Sequence, residues 1–234
     1  MSVLLLRLAG PMQSWGDSSR FNKRRTRAEP TKSGVIGLLA AAQGRRRTDA
    51  IEDLAALSFG VRVDQQGRIE RDFQTAIQRL PGSKPVAMPL SHRYYLTDAV
   101  FLAAVAGDQA LLEGLHEALG APRFPLYLGR RSCPPMGEIS LGVHDGELED
   151  VLRAAPWQAA AWYRRQQGQR VDLELVLDAP PGTPLAETSR DVPLSFDPER
   201  REYGWRDITR PDPVAMSNPD GRVEPDFFAV YGGA

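Results

Sequence analysis

Residues 20–47 hold nine cationic side chains, Arg20, Lys23, Arg24, Arg25, Arg27, Lys32, Arg45, Arg46 and Arg47, against one acid, Glu29. Guanidinium and ammonium groups at this density can neutralise several phosphates even in a chain whose total charge is near zero. The competing reading is a solvated basic loop. Three neighbouring groups suit the same chemistry. Trp15, with Gln13 and Ser14 beside it, offers a flat ring for an unstacked base and polar groups for its edge, or else is a core tryptophan next to a turn. Thr31 or Ser33 caps a predicted helix whose free amides, with Lys32 alongside, attract an anion, or form an ordinary cap. Tyr127, Gly129, Arg130 and Arg131 place amides and two guanidinium forks on one bend, where they match phosphate oxygens or simply face solvent.

A fourth group lies between Arg79 and Arg93, which includes Lys84 and His92 and no acidic residue. It reads as a hairpin projecting toward a polyanion or as a partly ordered surface loop. His92, Tyr94, Tyr95 and Lys84 would be candidates for metal-independent RNA cleavage if they converged on one phosphate. The other histidines, His116 and His144, fall in a predicted helix and an acidic segment. Cys133, the only cysteine, supports neither an internal disulfide nor a zinc cluster and reads as a small buried residue. No metal or other cofactor is expected.

The elements that must position these groups follow from periodicity. Residues 2–8 read as a buried strand ending at Gly10-Pro11, and a long basic loop runs from Pro11 to Pro30. A helix then carries Val35, Ile36, Leu38 and Leu39, and a second helix is predicted over Thr48 to Leu57. Strands are predicted over residues 59–63 and 99–105, a helix over 109–119, and an alternating strand over 171–177. This order of strand, helix, strand, strand, helix suggests an α+β sheet of ferredoxin-like or RRM-like type with helices on one face. The segment from Arg71 to Tyr95 is an excursion from it.

With 42% hydrophobic and 25% charged residues, the 234-residue chain has the composition of a soluble globular protein of one or two domains. No apolar run approaches the roughly 18 residues of a membrane span, so the expected compartment is the cytoplasm. The formal charge of −1 conceals a division. Residues 1–142 carry 19 basic against 13 acidic side chains, and residues 143–234 carry 10 against 17. A basic domain over 1–142 and a small, acidic, β-rich domain over 143–234 are therefore expected, the latter facing protein partners.

Three segments resemble a known family when taken together: Leu6-Arg7-Leu8-Ala9-Gly10-Pro11-Met12-Gln13-Ser14-Trp15-Gly16, Pro30-Thr31-Lys32-Ser33-Gly34-Val35-Ile36-Gly37-Leu38-Leu39-Ala40, and Leu126-Tyr127-Leu128-Gly129-Arg130-Arg131-Ser132-Cys133-Pro134. Their order and spacing are similar to those of the CasD family, the RAMP-type subunit of type I-E CRISPR Cascade. The resemblance implies an RRM-like domain holding the 5′ handle of the guide crRNA, a projecting thumb hairpin, which would be the excursion at 71–95, and a smaller C-terminal β domain. It implies contacts with the large PAM-reading subunit and the adjacent backbone subunit, with target DNA recognised through the assembled complex. It adds Ser132 to the RNA-binding candidates Gln13, Ser14, Trp15, Arg24, Arg25, Arg27, Thr31, Lys32, Ser33, Lys84, His92, Arg93, Tyr127, Gly129, Arg130 and Arg131. It assigns no catalytic residue. Two alternatives stand beside this reading: an endoribonuclease trimming the guide precursor, and a protein-only scaffold.

Overall fold

Alternate residues of the first strand point to opposite sides of a sheet, and here both sides are covered. Leu4, Leu6 and Leu8 join one apolar cluster, whereas Val3 and Leu5 join another. Burial on both faces is why the strand reads as a continuous apolar run over Val3-Leu4-Leu5-Leu6, with Arg7 the one charge in the strand. The computed structural model describes residues 1–16, 23–82 and 84–222; Arg20 lies outside the described residues.

From the N-terminus the elements are β1 (Ser2–Ala9), β2 (Met12–Gln13), β3 (Lys23–Arg24), α1 (Lys32–Gln43), α2 (Glu52–Ala55), β4 (Ser58–Gln65) and β5 (Arg68–Gln74). There follow β6 (Ile77–Gln78), β7 (Val86–Ala87), β8 (Ser91–Thr97), β9 (Val100–Gly107), α3 (Gln109–Gly120) and β10 (Ser140–Asp145). The remainder comprises α4 (Leu148–Ala154), α5 (Ala161–Arg164), β11 (Arg170–Leu173), β12 (Leu175–Ala179), β13 (Glu187–Ser195), β14 (Glu202–Thr209) and β15 (Val214–Ser217).

The main sheet has seven strands in the order β10-β1-β9-β4-β12-β14-β13, with every neighbouring pair antiparallel. One face carries α1 and α3, whose Ile36, Leu39, Leu112 and Leu115 pack on Leu4, Leu6, Phe101 and Val105. The other carries α4, with Leu152 against Val3, Leu5, Leu102 and Ala104. The expected division near residue 142 is not a break in this sheet, because β12, β13 and β14 extend it directly from β4.

Two expected elements differ in extent. The helix predicted over Thr48–Leu57 is confined to Glu52–Ala55, because Asp49 first accepts the Arg46 amide at 2.7 Å and holds a turn there. The single strand predicted over 171–177 is two. β11 pairs with β15, the Glu174 carbonyl accepts from the Val63 amide at 2.9 Å, and β12 then enters the main sheet. The excursion is a long antiparallel hairpin, with β5 and β8 paired from Arg68↔Thr97 to Gln74↔Ser91 and β6–β7 toward its tip. β8 also pairs with β2 and, in parallel, with β3.

Candidate nucleic-acid interface

The first motif turns inward. Gln13 is fully buried; its Nε2 donates to the carbonyls of Leu8 (3.0 Å) and Ala99 (2.8 Å), and its Oε1 accepts from Trp15 Nε1 at 3.0 Å. Both hydrogen-bonding ends of the amide are used, and the Trp15 ring has no exposed surface. The stacking face expected of Trp15 and Gln13 is therefore a core feature, since a wholly buried indole has no face to offer a base. Ser14 is likewise buried, with Oγ donating to the Tyr94 carbonyl at 3.1 Å.

The start of α1 is also occupied from within. Thr31 caps it by accepting the Gly34 amide at 3.2 Å, and Ser33 lies 3.5 Å from the Thr31 hydroxyl. The anion beside the free amides belongs to the chain itself: Lys32 N donates to Asp191 Oδ2 at 2.8 Å, while Lys32 Nζ pairs with Asp178 at 3.0 Å. Arg206 bridges the same two carboxylates, at 2.7 Å from Asp191 and 2.5 Å from Asp178. Arg27 donates to Ser189 at 2.8 Å, and Ser189 donates to Asp191. Thr31, Lys32 and Ser33 are buried, so the anion site expected here is satisfied by Asp191 and leaves no seat for a phosphate.

Why three distant motifs behave as one is visible in their contacts. A Cβ on Gly34 would stand 2.8 Å from the Trp15 ring, so the second motif needs a bare backbone where the first packs. Gly129 has φ of +81°, and a Cβ there would lie 1.8 Å from the Ser14 carbonyl oxygen. Ser14 N donates to Leu128 O at 3.1 Å, and the bend closes through Leu128 N to Cys133 O (2.7 Å) and Cys133 N to Arg130 O (2.9 Å). Arg130 is committed to this packing. It donates to the carbonyls of Tyr94 (3.1 Å) and Arg24 (2.9 Å), and its guanidinium lies 4.9 Å from the centre of the Tyr95 ring. It orders its neighbours more than it offers a free fork.

What remains at the surface is a cationic rim on this base. Lys23 and Arg24 lie opposite His92 and Arg93 in the β3–β8 register, and Arg130 ties the loop carrying exposed Arg24 and Arg25 to the bend carrying exposed Arg131 and Ser132. Tyr127, His92, Arg93 and Arg27 are half-buried. His92 Nδ1 and Arg93 Nε are buried atoms without a hydrogen-bond partner among the described residues. Burial pushes the Tyr95 phenol up, but hydrogen bonds with Ser132 and Arg130 and the charge of Arg130 outweigh it and hold the phenol below the ordinary tyrosine value. Lys84 sits apart, exposed near the hairpin tip, eleven residues along an extended arm from Tyr95, a span of about 36 Å at strand rise. Lys84 and Tyr95 thus do not meet as RNA cleavage would require. Among the described residues no group of three His, Cys, Asp or Glu side chains could hold a metal ion, and no helix is long and apolar enough to cross a membrane.

The residues that sequence reasoning missed here are Asp178, Asp191 and Arg206. Nothing local marks the two carboxylates, because Lys32 lies 146 and 159 positions upstream of them, and Arg206 meets them only across neighbouring strands, 28 and 15 positions from Asp178 and Asp191.

The chain as a whole is similar to several known proteins. Residues 3–209 match the family model described as CRISPR-associated protein (Cas_Cas5). The CRISPR system Cascade subunit CasD of Escherichia coli strain K12 is 38% identical over 224 residues, covering 88% of this chain and 94% of that protein. A solved structure described as a CRISPR RNA-guided surveillance complex contains a chain 34% identical, with a TM-score of 0.76 and coverage of 97% of this chain and 96% of that one. A crystal structure of a Cas protein is 38% identical with a TM-score of 0.68, covering 95% and 99%. With the family model spanning most of its length, this chain belongs to the CRISPR-associated Cas_Cas5 family.

Proposed function

We propose that this chain is a non-catalytic subunit of a Cascade-type CRISPR complex that holds the 5′ handle of the guide crRNA. The observation that carries the reading is the packing of the three motifs into one rigid base from which Arg24, Arg25, Arg131 and Ser132 project. Cations carried on a backbone already held in place bind phosphates with less of the chain left to order. Arg93, Tyr127, Gly129 and His92 flank them. The order β10-β1-β9-β4, with α1 and α3 as the crossovers, supports a ferredoxin-like or RRM-like core. The β5–β8 hairpin is the thumb in this reading. Its exposed Ile69, Phe73, Ile77, Val86, Met88 and Leu90 suit burial against the adjacent backbone subunit better than contact with RNA. Much of the acidic surface of residues 143–234 is left for protein partners such as the large PAM-reading subunit, with target DNA met through the assembled complex in the cytoplasm.

The test is a binding and cleavage gel with CRISPR repeat RNA and an unrelated RNA of equal length, without divalent metal, over a salt series. Retention of intact repeat RNA should fall linearly with salt on logarithmic axes. Arg24→Ala/Arg131→Ala should weaken it and lower the salt slope by about one for each phosphate that is no longer neutralised. Specific cleavage abolished by His92→Ala would replace this reading with a ribonuclease, and salt-insensitive behaviour without RNA retention would replace it with a scaffold.

A further inference from the structure

The acidic half of the chain contains a segment of opposite character. Between Asp150 and Asp172 there is no acidic residue, while Arg153, Arg164, Arg165 and Arg170 fall there with Trp157, Trp162 and Tyr163. The structure makes this stretch a rigid platform. Trp157 Nε1 donates to the Asp64 carbonyl at 2.6 Å, Gln158 N to Asp64 Oδ2 at 2.6 Å, and Ala160 N to Gln65 Oε1 at 3.0 Å. Farther along, Asn218 Nδ2 holds the carbonyls of Arg164 and Gly168, each at 2.8 Å. Tyr163 stands edge-on to both Trp157 (6.4 Å between centroids) and Trp162 (5.8 Å), bracing the latter while 45% of Trp162 stays exposed.

Arg165 follows Trp162 by three residues on the helical turn of α5, so the two side chains lie on one face. The exposed side chains of Arg165 and Arg170 make no ion pair or hydrogen bond with another described residue, whereas Arg153 is paired with Glu149 and Arg164 lies 3.7 Å from Asp220. Beside them a cavity of about 340 Å³ is lined by Trp157, Tyr163, Gln167 and Arg170 together with Asp172 and Glu174. Trp157 packs on the apolar cluster of Leu102 and Leu152, across the sheet from α1, α3 and the buried Trp15. The segment is thus separate from the three-motif interface.

We propose that residues 157–170 form a second nucleic-acid contact, which takes a single strand by stacking a base on Trp162 and pairing its phosphates with Arg165 and Arg170. A fixed, exposed indole with a guanidinium on the same face serves unpaired bases, since a duplex presents its phosphates and keeps its bases stacked. This assignment does not rest on the handle-binding reading, because it uses different residues on the other side of the sheet.

The experiment uses the full chain with single-stranded RNA and DNA of equal length carrying 5-iodouracil, and reads photocrosslinked peptides and affinity together. Crosslinks are expected within 157–170 as well as at the motif interface. Trp162→Ala/Arg165→Glu should abolish the former and leave the latter, with an unchanged thermal midpoint. In a background where Arg24, Arg25 and Arg131 are already replaced by glutamate, the same pair should weaken binding about tenfold, the loss of one stacked base. Crosslinks confined to the motif interface, with wild-type affinity in the double variant, would overturn the proposal. Crosslinking of the segment to a protein subunit and not to nucleic acid in the assembled particle would overturn it equally. Loss of binding through Arg24, Arg25 and Arg131 alone bears on the handle and leaves this second site standing.

Discussion

Lys32 and Asp191 are 159 positions apart, yet the first backbone amide of α1 donates to the Asp191 carboxylate at 2.8 Å. A side chain from β13 thus supplies the negative charge that a helix start attracts, and it joins the late strands to the segment that carries the second motif.

This bond predicts an acid-dependent loss of stability. Burial raises the Asp191 pKa, but hydrogen bonding and charge from Arg206, with the Lys32 amide and Ser189, outweigh it and hold the carboxyl below its ordinary value. As pH falls, the unfolded chain takes up this proton first. The stabilisation is therefore complete above about pH 4, the ordinary carboxylate value, and is lost as pH drops through the lower folded value. Asp191→Asn should cost about 3 kcal/mol at pH 7, since Arg206 loses a buried partner, and the difference from wild type should shrink as the pH falls below about 4. Urea melts at pH 7 and at successively lower pH check both; a difference constant with pH would exclude the charge as the cause.

Gly129→Ala is expected to be far more damaging than Gly82→Ala, although both glycines have positive φ, +81° and +76°. At Gly82 no atom of the described residues lies within 4 Å of the added methyl, so the backbone cost of about 1 kcal/mol is what applies. At Gly129 the methyl would overlap the Ser14 carbonyl, the bend must move, and Arg130 loses its hold on Arg24. Thermal melting should show a shift several times larger for Gly129→Ala, accompanied by weaker RNA binding. Equal shifts would mean that the bend tolerates displacement.

Much of this architecture is legible in the residues. The apolar runs of β1 and β9, the Asp108 cap that accepts the Leu111 amide, and the Gly44 stop of α1 at φ +81° all act locally. Which way a motif residue faces is not local. Trp15 is a core ring because its Nε1 donates to buried Gln13 and the ring packs on Gly34, and the same three letters on an exposed turn would have been a stacking platform. The charge division misleads for a related reason. Asp178 and Asp191 count toward the acidic half, but Lys32 and Arg206 neutralise them inside the fold, so less negative charge reaches solvent than the composition implies.

Arg62→Ala should be among the most destabilising single changes in the chain. Arg62 and Asp64 have no exposed side-chain surface; their ion pair is 2.7 Å, and Arg62 also donates to the carbonyls of Leu152 (2.5 Å), Ala155 (2.7 Å) and Pro156 (2.9 Å). The substitution strands a buried carboxylate and uncaps the end of α4, for a loss of about 3–5 kcal/mol. Asp64 also anchors Trp157 and Gln158, so amide exchange should quicken over residues 157–160 before it does in β1 or β9. Uniform quickening would mean that the pair supports the whole sheet and not this junction.

The hairpin supplies the opposite case, a substitution felt in assembly and not in folding. Phe73 and Ile77 are 63% and 58% exposed, so neither stabilises the isolated chain by much burial. Phe73→Ser/Ile77→Ser should change stability by no more than about 0.5 kcal/mol per site, as for other surface changes. If the hairpin is the thumb that packs on a neighbouring subunit, those side chains become central to that interface, where truncating a buried anchor costs about 2 kcal/mol or more. Reconstitution with partner subunits, followed by size-exclusion chromatography, should then show the variant excluded from the complex while the free protein keeps its melting midpoint and its affinity for repeat RNA. Normal incorporation would remove the hairpin from that interface and leave its apolar face without a partner.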